Sequence, residues 1–167
     1  MTTVTHARRD IMPRPQGRCL VAVFDTWEAL DIALMDLGSD ARARSGALLH
    51  AHEGTPPIRS ARWLVEEMLD VHFAAHLKRV RCTRGELAIA LAARSDQGAN
   101  NVAAALHGWV SPEQASELQW HIESGRIVLW LQPSTAEDFD IVCARLVRAS
   151  PHLVGICNVD LDPRQQA

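Results

Sequence analysis

Tyrosine is absent from the 167 residues, which removes one common general acid from any catalytic scheme. The compact motifs of phosphate, dinucleotide, zinc-protease and serine-hydrolase chemistry are missing too: there is no P-loop, GxGxxG, HExxH or GxSxG. No charge of one sign dominates. Seventeen Lys and Arg stand against 20 Asp and Glu for a net charge of −3, so nothing electrostatic favours nucleic acid or an acidic membrane surface as a partner. No apolar run approaches the roughly 20 residues that span a bilayer. The four cysteines, Cys19, Cys82, Cys143 and Cys157, are widely spaced and form no CxxC pair. Three of them sit in apolar segments, where a thiol behaves as a small hydrophobe, so they are expected to be reduced core residues of a cytoplasmic protein.

What is present is an ordinary globular composition, 47% hydrophobic and 22% charged, of a size that can bury its own core. Residues 1–17 carry four Arg or His, Pro13 and Pro15, and no apolar stretch; they read as a flexible leader rather than a signal sequence. Residues 18–161 are expected to form one α+β domain, and 162–167 a polar tail.

The apolar run Cys19–Phe24 predicts a strand buried on both faces. Asp25-Thr-Trp-Glu28 predicts a helix start with Asp25 as cap, followed by a stripe of Leu30, Ala33, Leu34 and Leu37 that Gly38 ends. A second strand follows at 46–52, with Leu48, His50 and His52 on one face. Ser111-Pro-Glu-Gln114 is a capping box with proline at the first helical position, and Gly125 ends that helix. Ile127–Leu131 is another doubly buried strand, Ser134–Glu137 opens a further helix, and 152–159 is the last strand. Between the halves, at about 55–110, Leu64, Met68, Val71 and Ala75 form one helical stripe. Val65, Leu69, His72 and His76 form its neighbour, so a helix is expected over 60–80, with further helices at 86–93 and 102–106 and a loop at 95–101.

Two β-α-β units predict a ferredoxin-like, four-stranded antiparallel sheet, order 4-1-3-2, with a helical insertion between the halves. Both crossover helices cover one face, so the insert or a second copy must cover the other; a homodimer is the expectation. Val21-Ala-Val-Phe-Asp25, Ala105-Leu-His-Gly108, Ser111-Pro-Glu-Gln-Ala115 and Gly125-Arg-Ile-Val-Leu129 resemble the bacterial general-stress-protein domain over residues 18–53 and 105–161. The resemblance implies the fold and a stress-related, non-catalytic role, and carries no catalytic residues. The glycine-zipper middle of that family is replaced here by a charged, histidine-bearing block.

Chemistry concentrates on histidine. His72 and His76 stand four apart on the expected helix, and His50 and His52 two apart on a strand; both spacings put two imidazoles on one face. Converging, the four would suit a transition metal such as zinc, copper or iron. Read structurally, the same residues are the polar side of a packed helix and the polar end of an edge strand. His107 and His121 have no companions at chemical spacing. The sequence therefore points to a non-catalytic self-associating or partner-binding module, stress-related or regulatory. A histidine-based metal or cofactor-binding protein is the alternative, and a small-molecule enzyme using a cleft between insert and sheet is the third reading.

Overall fold

Strands covered on both faces read as unbroken apolar runs, and the computed structural model sets two such runs side by side. It describes residues 17–37, 43–74, 78–133, 135–149 and 151–159. The order is β1 (Gly17–Phe24), α1 (Trp27–Leu37), β2 (Ala43–His50), a 3-10 turn (Arg62–Leu64), β3 (Met68–Phe73), β4 (Lys78–Thr83) and α2 (Glu86–Asp96). Then come α3 (Val102–Ala105), α4 (Pro112–Glu123), β5 (Ile127–Pro133), α5 (Ala136–Arg148) and β6 (Leu153–Val159). All pairings are antiparallel, in the order β3-β4-β2-β5-β1-β6. Between β1 and β5 Leu20 lies opposite Leu131 and Phe24 opposite Ile127.

The expected four-stranded ferredoxin-like sheet is therefore corrected to one six-stranded antiparallel sheet. The four strands of the expectation are neighbours in the order β2-β5-β1-β6, but the insert adds β3 and β4 beyond β2. The expected helix over 60–80 is a 3-10 turn and a hairpin. Val71, Phe73, Val80 and Cys82 turn to the buried side, while the residues that alternate with them, Asp70, His72, Arg79 and Arg81, are exposed or half-buried. That alternation has period 2, and the 3–4 spacing of the neighbouring apolar residues overlies it.

Alternation along the strands gives two cores. Leu20, Ala22, Phe24, Leu48, Leu129 and Leu131 pack under α1, α5 and the 3-10 turn. Val21, Val23, Leu49, Val71, Phe73, Val128 and Trp130 pack under α2, α3 and α4. The insert thus supplies part of the cover for the face that α1 and α5 leave bare. Gly46 lets the 3-10 turn approach β2, since a Cβ there would stand 2.8 Å from Leu131 Cδ2 and 3.0 Å from the Trp63 ring. Buried Thr83 ties the same region together, its Oγ1 accepting from Leu48 N–H at 2.8 Å and donating to the Leu64 carbonyl at 2.6 Å.

The described part of the molecule contains no helix long and apolar enough to cross a membrane. Gly17 opens β1; the rest of the expected leader, the tail at 162–167, Gly38 and Ser134 lie outside the described residues.

Candidate functional site

The polar residues gather where β1 and β2 end and β5 and β6 begin. Thr26, not Asp25, caps α1: its Oγ1 accepts from Ala29 N–H at 3.1 Å. Asp25 is left to meet Arg126 Nε at 2.9 Å and His152 Nε2 at 3.2 Å. Helix α4 begins as expected, with reciprocal bonds between Ser111 and Gln114 behind Pro112. It ends in a Schellman turn, Gly125 N–H donating to Ile122 O and Arg126 N–H to His121 O, with Gly125 at φ +82°. That turn brings Arg126 over the Trp120 ring and 3.2 Å from His121 Nδ1. Burial, and then the Arg126 charge, hold His121 below the ordinary imidazole range. His121 therefore has companions after all, in Arg126 and in the His152 ring 5.6 Å away. They come from separate elements, so no local spacing announces them.

The second group joins the ends of β2 and α4. His52 N–H donates to His50 Nδ1 at 3.1 Å, which leaves the proton of neutral His50 on Nε2. That nitrogen is buried and has no hydrogen-bond partner among the described residues, and the ring meets Trp27 edge-on at 4.7 Å. Burial first, and then the neighbouring His52 ring and Arg81 guanidinium, push the His50 pKa down to about 4. His52 Nε2–H donates to the Gly125 carbonyl at 2.6 Å, leaving Nδ1 of the neutral ring as an acceptor.

Beyond His52 opens a cleft of about 540 Å³, walled by the β3–β4 hairpin, the start of α3 and the end of α4. Phe73, Val80, Val102 and Ile122 give it an apolar lining, and His52, Glu53, His72, Arg79, Gln119 and Glu123 surround that lining with polar groups. Gln119 fixes one wall: its Oε1 accepts from Ala103 N–H at 3.1 Å and its Nε2 donates to Glu123 at 2.6 Å. Asn101 caps α3 through a 2.8 Å bond from Ala104 N–H. Arg79 is loosely held by Asp70 at 3.4 Å. The side chains of Glu53 and His72 make no hydrogen bond or ion pair among the described residues.

Of the four histidines expected to converge, His52 and His72 line this cleft. His50 lies beside it, sealed beneath Trp27, and His76 lies outside the described residues. His72 reaches the cleft from a strand, not from the expected helix. Among the described residues no group of three or more His, Cys, Asp or Glu is arranged to hold a metal ion. Arg79, Gln119 and Glu123 are site residues that the sequence did not single out, because each sits in a segment whose local pattern is explained by its own strand or helix.

The cysteines are free, and three are buried. Burial pushes the thiols of Cys19 and Cys157 up to about 11 and that of Cys82 to about 12, which makes them poor nucleophiles. In comparisons with known proteins, no family model, no curated protein and no solved structure matches the chain.

Proposed function

We propose that the protein is a binding module that holds a small organic ligand in the cleft between the β3–β4 hairpin and the end of α4. The observation that supports this reading is an apolar lining bordered by polar residues from five segments, two of which, Glu53 and His72, have side chains that make no hydrogen bond or ion pair among the described residues. The volume falls within the range of about 300–1,000 Å³ usual for small-molecule sites. One guanidinium, Arg79, and two carboxylates, Glu53 and Glu123, line it beside His52 and His72, so the fitting ligand is compact, with an apolar body and hydrogen-bonding groups at its edge. In the stress-related or regulatory setting that the family resemblance implies, such a ligand would act as a signal rather than a substrate.

Imidazole, benzamidine and benzoate serve as neutral, cationic and anionic flat probes for ligand-observed NMR. His72 is exposed on a strand, so His72→Trp fits the backbone and fills the opening. At least one probe is expected to bind and to bind about tenfold more weakly to His72→Trp, with thermal unfolding unchanged. Absence of binding by all three, or equal binding to both proteins, overturns the proposal. The transition-metal reading keeps one observation in its favour, the presence of His52 and His72 in one cleft. Calorimetric titration with Zn²⁺ tests it: stoichiometric binding lost in a His52→Ala, His72→Ala variant supports it, and absence of binding removes it.

A further inference from the structure

The two edges of the sheet differ in what they offer to another strand. At the β3 edge, the outermost pair of strands carries Asp70, Arg79 and Arg81, joined by ion pairs of 3.4 and 3.1 Å. Charge on an edge discourages pairing with another chain. At the other edge β6 runs Leu-Val-Gly-Ile-Cys-Asn-Val with no charge, no proline and an unbroken register against β1. Its Ile156 is a large apolar residue that is 43% exposed. The Ile156 carbonyl is reached by Gln114 Nε2, at 3.3 Å, from an element that is not part of the sheet. With the alternation of an antiparallel ladder, this sets the backbone groups of Val154, Ile156 and Asn158 facing away from β1.

We infer that β6 pairs antiparallel with β6 of a second copy, making one sheet continuous through a twofold dimer. Apart from the Gln114 bond to the Ile156 carbonyl, no hydrogen bond among the described residues reaches this outward row; an extended strand is what satisfies it, and the occupant that fits here is the chain itself. Centred on Ile156, the pairing sets Ile156 opposite its own counterpart and Val154 opposite Asn158, and forms about six backbone hydrogen bonds. A twofold axis brings every charge near the axis close to its own copy; β6 has none to repel, whereas β3 has Asp70. The size is also right. A seven-residue strand is about 23 Å long and a sheet with a helix layer on each face about 30 Å thick. Edge-to-edge contact then covers on the order of 700 Å² per copy, close to the roughly 800 Å² per partner of stable interfaces. This inference is independent of the cleft, which lies toward the opposite side of the sheet.

Sedimentation equilibrium on the full chain, from 1 to 200 µM, tests it. The expected mass is twice the 18.4 kDa of the chain, falling to one copy in Ile156→Lys and in Ile156→Glu, each with native circular dichroism. Mixing those two variants restores a dimer, because opposite charges then face each other across the axis. A wild-type monomer at 200 µM overturns the inference. So does a dimer that Ile156→Lys and Ile156→Glu leave intact, which would place the interface elsewhere. If the single variants are monomeric but their mixture does not recover, Ile156 does not face its counterpart and the proposed register is wrong.

Discussion

The cleft and the cluster around Arg126 are built from the same kinds of side chain, yet they end in opposite states. In the cluster, Arg126 meets Asp25 and His121, Asp25 also meets His152, and the Trp120 ring lies under the guanidinium. Those polar groups answer one another and tie β1, α4, β5 and the approach to β6 into one corner. In the cleft, Glu53 and His72 are unanswered among the described residues, and they stand around apolar walls rather than around each other. Residue type alone therefore does not mark a binding site. What marks it is hydrogen-bonding capacity left unspent beside apolar surface that water covers poorly.

The largest expected effect belongs to His50, which lies between the two regions. Its folded pKa of about 4 lies below the unfolded value near 6.5, so the unfolded chain takes up the proton first. Stability is complete above pH 6.5 and falls as pH drops toward 4, by up to about 3 kcal/mol at 1.36 kcal/mol per pKa unit. His121, shifted in the same direction, adds a loss of the same sign. Urea unfolding at pH 7 and at pH 4.5 measures the total, and His50→Leu should remove most of it. Parallel losses in wild type and His50→Leu would count against this assignment.

Arg126→Leu comes next. It leaves Asp25 and His121 without the cation that joins them and should cost about 2 kcal/mol in urea unfolding. Probe binding in the cleft should be unaffected. Loss of both together would show that the two regions are one unit.

A smaller effect separates the two candidate caps of α1. Thr26→Ala should cost about 1 kcal/mol. Asp25→Ala removes only exposed ion pairs and should cost about half that or less. The reverse order in thermal melts would return the cap to Asp25. The smallest effect closes the comparison: His72→Ala should shift stability by no more than about 0.5 kcal/mol while weakening probe binding. A large loss of stability there would make His72 a structural residue of the hairpin.

Legibility in the sequence followed the range of the interactions involved. The doubly buried runs of β1 and β5, the Ser111–Gln114 capping box and the turn at Gly125 depend on residues within a few positions of one another, and each is visible as a local pattern. The hairpin was hidden because residues 60–83 carry two periods at once. Leu64, Met68 and Val71 suit a helix, while Arg79-Val80-Arg81-Cys82 alternates as a strand, and pairing with β2 decides between them. The sequence points to Asp25 as the cap of α1 and the structure to Thr26, one residue on, because Asp and Thr are both good caps. Asp25 was drawn away by Arg126 and His152, which lie far along the chain. Of the four histidines, proximity in sequence correctly suggested that His50 and His52 are neighbours, but not that burial under Trp27 would seal one and leave the other at a cleft.

Local chain chemistry sets which segments are apolar enough to be inner strands and where α4 starts and stops, because propensity, capping and periodicity act over one or two turns of chain. Folding in three dimensions is what makes the insert extend the sheet, gives Asp25 to an ion network instead of a helix, and puts His52 and His72 in one cleft with Glu123. Those outcomes depend on burial and on charges brought together from distant segments, and such terms have no value until the chain has closed on itself.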